Sequence, residues 1–199
     1  MKKLLLTGFE PFLQFPINPT MQVVESLNGQ VIGEYEVIGK ILAVDFTESG
    51  KQIIEFIKEV QPDAVISLGL AGGRHQITPE RIAINCNDGE KDNRGNNPTG
   101  EKIFADGPDG IFSTLPIAKM VSTLREQNYP ASISNSAGTY LCNNVMYHAL
   151  YYFKQKKLNV PSGFIHIPAS HELTIESSKV PSWSQHDLTD AIKICISCL

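Results

Sequence analysis

No stretch of this chain approaches the roughly 20 consecutive apolar residues that span a bilayer. Charge is also scarce. Charged residues make up 19% of the chain, and 17 Lys and Arg against 21 Asp and Glu leave a formal net charge of -4. A nucleic-acid-binding domain normally carries a basic face and a high pI, whereas here the pI is about 5.7. The Lys154 to Lys157 cluster reads as a solvated helix end. Internal repeats and low-complexity linkers are absent. Cysteine is sparse: Cys86, Cys142, Cys195 and Cys198. Cys195-Ile196-Ser197-Cys198 has C-x-x-C spacing, but neither a second pair nor a His cluster accompanies it. Packing is therefore expected of that pair rather than zinc or redox chemistry. The opening Met1-Lys2-Lys3-Leu4-Leu5-Leu6-Thr7-Gly8 is apolar over too few residues for the about 7–15 of a secretory h-region. It reads as a first strand, the expected compartment is the cytoplasm, and thiols there stay reduced.

What is present is an ordinary globular composition, with 42% hydrophobic residues in 199. One domain over 1–199 is expected from that length. Strand patterns at Lys3 to Thr7, Tyr35 to Leu42, Ala64 to Leu70, Ile82 to Cys86, Ala131 to Ser134 and Phe164 to Ile167 alternate with helical ones. The helices are predicted at Pro19 to Leu27, Glu48 to Val60, Pro116 to Asn128, Leu141 to Lys154 and Ser184 to Leu199. Asn18 caps the first, with Pro19 at its first position. Ile53, Ile54, Ile57 and Val60 form an apolar stripe at the 3.6-residue period. Such alternation predicts a mainly parallel sheet covered on both faces. Residues 87–110 are polar and rich in Gly, Asn, Asp and Pro, a long loop with room for a small hairpin.

Three segments carry candidate chemistry. In Ser136-Ala137-Gly138-Thr139-Tyr140-Leu141-Cys142-Asn143 a small-residue turn leads into a helix at Cys142. A thiol there meets the positive end of the helix dipole, and free backbone N–H groups can stabilise an oxyanion. A buried structural cysteine is the competing reading, and it fits Cys86, Cys195 and Cys198 fully. In Gly163-Phe164-Ile165-His166-Ile167-Pro168, His166 is a single polar residue at the end of an apolar strand, either a base or a hydrogen-bonded core histidine. His75, His148, His171 and His186 fall in loops or on helices and are expected at solvent. Glu80 follows the loop Gly69-Leu70-Ala71-Gly72-Gly73-Arg74. That loop lacks the dinucleotide and P-loop spacings. Glu80 either orients the base or forms a salt bridge with Arg74 or Arg81.

Taken together, Thr7-Gly8-Phe9-Glu10-Pro11-Phe12 with Asn18-Pro19-Thr20, Gly72-Gly73-Arg74 with Glu80-Arg81-Ile82-Ala83-Ile84-Asn85, and the Cys142 and His166 segments resemble pyroglutamyl peptidase type I, the pyrrolidone-carboxylate peptidase family. The resemblance implies a three-layer α/β/α sandwich with a mixed, mainly parallel sheet of the phosphorylase/hydrolase type. It implies a thiol protease with the triad Glu80, Cys142 and His166, acting as an exopeptidase on N-terminally pyroglutamylated peptides. A cytosolic homotetramer without metal or cofactor, and without nucleic-acid or membrane partners, is expected with it. Phe9 and Phe12 would line the lactam pocket, with Asn18, Leu70 and Leu141 as further substrate-binding residues; for the two phenylalanines, core packing is the competing reading.

Three features depart from the family pattern. Asp88-Gly89-Glu90-Lys91-Asp92-Asn93 is shorter than the corresponding family run and lacks its Arg and Pro. Leu70 stands where a polar residue is usual, and Ala169-Ser170-His171-Glu172 replaces an aromatic and Pro-Glu-Gln stretch. These motivate two alternatives: an amidase acting on another small acyl or lactam substrate, and a catalytically weak pyroglutamyl-binding protein.

Overall fold

The computed structural model describes residues 1–12, 17–176 and 179–199. In chain order the elements are β1 (Lys2–Phe9), α1 (Pro19–Leu27), β2 (Val31–Ile32), β3 (Tyr35–Leu42), α2 (Ser49–Val60), β4 (Ala64–Leu70), β5 (Thr78–Pro79) and β6 (Ile82–Ile84). Next come β7 (Asn87–Asp88), β8 (Thr99–Glu101), β9 (Gly110–Phe112), α3 (Ile117–Glu126) and α4 (Leu141–Lys156). The chain closes with β10 (Ser162–Ile167), β11 (Ala169–Ser170), α5 (His171–Thr174), β12 (Ser182–Trp183) and α6 (Gln185–Ser197).

A six-stranded sheet in the order β2-β3-β1-β4-β10-β5 forms the middle layer. Its interior is parallel: β1 pairs in that sense with β3 and β4, and β4 with β10. The two short edge strands, β2 and β5, run antiparallel to β3 and β10. The sheet is thus mixed and mainly parallel, as expected.

Side chains of a strand alternate between faces, and here that alternation divides the core in two. Leu4, Leu6, Ile66, Leu68, Ile165 and Ile167 pack with α1, α3 and α6. Leu5, Val65 and Phe164 pack on the other face with α2 and α4. The second face also carries the odd-numbered positions of β1 and β4 and the even-numbered ones of β10, ending in Phe9, Gly69 and His166. The Cys142 thiol thus lies on the same face as His166.

Asn18 caps α1, its side chain accepting from the Thr20 amide, with Pro19 at the first turn. Between α2 and α4, contact is close because residue 50 is Gly: a Cβ there would strike the His148 ring. His148 corrects one expectation. It is packed against Phe104 with ring centroids 4.8 Å apart, and its Nδ1–H donates to the Asn144 carbonyl at 2.8 Å. His186, by contrast, is exposed.

Two strand expectations also change. Ala131 to Ser134 is not a strand; it makes only isolated bridges, Ile77 to Ala131 and Glu80 to Ser134. Bonds from Ile77 N to Pro130 O, Ser132 N to Ile77 O, Ser134 N to Pro79 O and Arg81 N to Ser134 O follow a parallel ladder. The missing rung is at Pro79, which has no N–H to donate. Ile82 to Cys86 ends earlier, at Ile84, and pairs with β9 outside the main sheet. There the Asn143 side chain acts as a partner strand would, accepting from Ile84 N and donating to the Ile84 and Cys86 carbonyls. The long loop does hold a small hairpin, β7 against β8.

Candidate active site

Ligands in open α/β sheets bind beyond the carboxyl ends of the strands. β1, β4 and β10 deliver Phe9, Leu70 and His166 to one such end. His166 is 5% exposed, and its ring lies against Phe164, two residues earlier on the same strand, at 5.0 Å. Its Nδ1 donates to Glu80 Oε1 at 2.7 Å. A carboxylate can only accept, so the proton is on Nδ1 in the neutral ring, and Nε2 is left for the thiol. Cys142 hydrogen-bonds the His166 side chain.

Glu80 comes from the β5 edge. Its amide donates to the Phe164 carbonyl, and its side chain is 0% exposed. Arg74 also reaches Oε1, at 2.8 Å. One carboxylate oxygen therefore meets both His166 and Arg74.

Cys142 is the second residue of α4, half-buried and with a free thiol. The N-cap residue Tyr140 is extended and makes no side-chain capping bond. The first i→i−4 bond of the helix comes from Asn144, to the Tyr140 carbonyl. The N–H groups of the first turn thus have no intrahelical acceptor, at the end of α4 where the sulfur sits. Beneath the thiol runs β4. A Cβ on Gly69 would lie 2.8 Å from Cys142 Sγ and 2.7 Å from Phe164 Cε1. Only glycine lets the strand pass under the sulfur.

Electrostatics follow from burial and pairing. Burial opposes the charged form of His166. The Cys142 charge and hydrogen bond, followed by those of Glu80, outweigh it and push the imidazole up to about 9. Burial would raise Glu80, but the His166 hydrogen bond and charge, helped by Ser134 and Arg74, hold it below the usual carboxylate range. At neutral pH the imidazole is therefore charged.

Cys142 and His166 open into a cavity of about 210 Å³. All five residues expected to bind substrate line it: Phe9, Phe12, Asn18, Leu70 and Leu141. Phe9 is also 4% exposed and packs on Phe164, so it belongs at once to the core and to the cavity wall. Among the described residues, Val44, Ala137 and Tyr140 line it as well, beyond the sequence expectation. Burial, then the charges of Asp92, Cys142 and Glu90, push the Tyr140 phenol up to about 12, and its hydroxyl donates to the Lys91 carbonyl. The loop that departs from the family pattern braces this pocket. Asp92 accepts from the amides of Phe46, Arg94 and Asn96. The Asn93 side chain donates to Glu10 Oε1 and the Pro11 carbonyl, while its amide bonds Val44. The Asp-Asn-x-Gly spacing of a turn was the available signal.

Cys195 and Cys198 are buried in the α6 core, as expected of packing cysteines, and burial raises the Cys195 thiol.

The pyroglutamyl peptidase profile matches residues 2–199. A pyrrolidone-carboxylate peptidase from Oceanobacillus iheyensis is 59% identical over 199 residues, covering 100% of both chains. The crystal structure of Bacillus amyloliquefaciens pyroglutamyl peptidase I superposes with a TM-score of 0.96 at 39% identity, covering 100% of this chain and 96% of that one. The pyrrolidone carboxyl peptidase of Thermococcus litoralis gives 0.96 at 38%, over 100% and 93%.

Proposed function

The chain belongs to the pyroglutamyl peptidase family, and from that premise we propose that it is a cysteine exopeptidase removing an N-terminal pyroglutamyl residue from peptides. Residues 1–199 act as one catalytic domain, both apolar clusters being built on the same three strands, β1, β4 and β10. The observation that carries the reading is the continuous contact from Glu80 through His166 to Cys142 at the floor of a mainly apolar cavity.

Cys142 is the nucleophile. Its thiolate attacks the carbonyl carbon that joins pyroglutamate to the next residue. The oxyanion that develops is met by N–H groups of the first turn of α4. His166, already charged, gives its proton to the departing amine as the C–N bond breaks. Glu80 keeps the imidazole oriented and balances its charge. The remaining thioester is cleaved by water, with His166 now taking the proton, and free pyroglutamate leaves.

Selectivity follows from what the cavity does not offer. Among the described residues no carboxylate lines it. Phe9, Phe12, Val44 and Leu70 present apolar surface, while Asn18 and Tyr140 offer polar edges. A pyroglutamyl ring is neutral and fits. An ordinary N-terminus would bury an unpaired ammonium beside the charged His166.

The four free thiols suit a reducing cytoplasm. Among the described residues no helix is long and apolar enough to cross a membrane. The net charge of -4 disfavours a nucleic-acid partner, and assembly into a homo-oligomer follows the family expectation.

Release of aminomethylcoumarin from its pyroglutamyl amide tests the reading. Wild type turns over, and Cys142→Ser loses activity by about 10⁴-fold or more, as removal of a nucleophile does. Absence of turnover in the wild type, or its survival in Cys142→Ser, overturns the reading.

A further inference from the structure

We propose that Arg74 is a positioning residue of the triad, holding the Glu80 carboxylate in line with His166 and limiting how strongly that carboxylate grips the imidazole. The inference deepens the hydrolase reading above and rests on it.

Arg74 leaves the turn after β4, where its amide bonds the Ala71 carbonyl at 3.1 Å. Its Nη1 donates to Glu80 Oε1 at 2.8 Å and to Thr78 Oγ1 at 2.7 Å. Thr78 lies on β5, opposite His166 in the antiparallel pairing with β10. One guanidinium nitrogen therefore ties the loop after β4 to β5 and to Glu80, which follows it. The oxygen it holds is the one that accepts His166 Nδ1. Two cationic donors thus share a single oxygen of a carboxylate that is 0% exposed, while Arg74 itself is 36% exposed. The arrangement fixes the position of Oε1. It also divides its charge, because what Oε1 gives to the guanidinium it cannot give to the imidazole.

Two consequences follow. Arg74 does not line the substrate cavity, so its loss falls on turnover and leaves substrate binding alone. Removing a cation next to the imidazolium, and returning the whole of Oε1 to it, favours the protonated ring. The alkaline limit of activity then moves to higher pH, even as kcat falls.

The test compares wild type, Arg74→Gln and Arg74→Lys across pH 5 to 11, by kcat and KM on the pyroglutamyl aminomethylcoumarin amide. The pH dependence of Cys142 alkylation by iodoacetamide is followed alongside. Wild type should show an alkaline limb near 9, where His166 loses its proton. Arg74→Gln should lower kcat roughly 10- to 100-fold, the cost of losing a charged hydrogen bond, with KM within about twofold and the limb moved upward. Arg74→Lys keeps the charge without the planar fork. It should return the limb to its wild-type position and restore kcat only in part.

Loss of kcat with an unmoved limb, or a limb that Lys does not restore, would mean a merely structural role and overturns the proposal. Unchanged kcat in Arg74→Gln overturns it equally. The alkylation profile needs no substrate. If the pyroglutamyl amide is not hydrolysed at all, the hydrolase reading fails, while the alkylation limb still decides whether Arg74 acts on His166.

Discussion

At the scale of single residues, the site depends on an atom that is missing. Gly69 has no Cβ, and the Cys142 sulfur and the Phe164 ring occupy the space one would take. Adding a methyl group there must move one of them. A displacement near 1 Å at a reacting atom costs on the order of 100-fold in rate. Gly69→Ala should therefore lower kcat/KM by about 100-fold while circular dichroism shows a folded protein; wild-type kinetics in that variant would show that the contact is unimportant. Cys142, His166 and Glu80 were legible because each is a chemistry-bearing residue at a junction or strand end. Arg74 was legible as a salt-bridge partner of Glu80; Gly69 was not legible, since a glycine in a strand pattern has many commoner roles. Tyr140 and Val44 were hidden for another reason: they reach the cavity through loops whose paths the periodicity of the chain does not encode.

At the scale of elements, α2 and α4 meet where Gly50 admits the His148 ring. Burial holds His148 below the usual histidine range, the bond to Asn144 only partly opposing it. A depressed folded value means that the unfolded chain binds the proton more readily. The stability this neutral ring contributes is present above pH 6.5, the unfolded value, and is lost as pH falls below it. His166 works in the opposite sense. Raised to about 9, it contributes fully below pH 6.5 and loses that contribution as pH climbs through 9. The carboxylates with lowered values, Glu34, Glu80, Asp92 and Glu101, change only in more acid solution. Between pH 7.5 and 5.5 the two histidines oppose one another, so the informative quantity is the difference between wild type and His148→Gln. Urea midpoints should fall more for wild type than for His148→Gln over that interval; equal changes would show that His148 is not held neutral. His148 was misjudged because its polar neighbours on α4 resemble a solvated face, and the tolerance of α2 for it lies in a glycine 98 positions away. The Ala131 to Ser134 expectation failed through Pro79, which removes a rung from a ladder otherwise in place.

At the scale of the whole molecule, most of the layered fold was legible. Buried parallel strands read as short apolar runs, and amphipathic helices read as stripes, so the order of elements along the chain is written in its hydrophobic pattern. The edge strands β2, β5, β11 and β12 have two residues each, too few for any period to register. The antiparallel pairing of β5 with β10 and the bracing of the cavity by residues 92–96 are long-range pairings, and they become visible only once the layers are assembled. The departures at residues 88–93 and at Leu70 do not dismantle the cavity. Asn93 ties the strand-end loops together, and Leu70 adds an apolar wall.

The central claim is that a charged triad at the floor of a charge-excluding cavity makes Cys142 the nucleophile for neutral pyroglutamyl ends. Its most direct test is covalent capture. Wild-type protein is treated with a pyroglutamyl chloromethyl ketone and, separately, with the prolyl analogue, whose ring nitrogen is cationic, and the adducts are mapped by mass spectrometry. The account predicts one adduct, on Cys142, formed at least about 100-fold faster with the pyroglutamyl reagent, given the cost of burying an unpaired charge. Labelling at Cys86 instead, or equal rates for the two reagents, would contradict it.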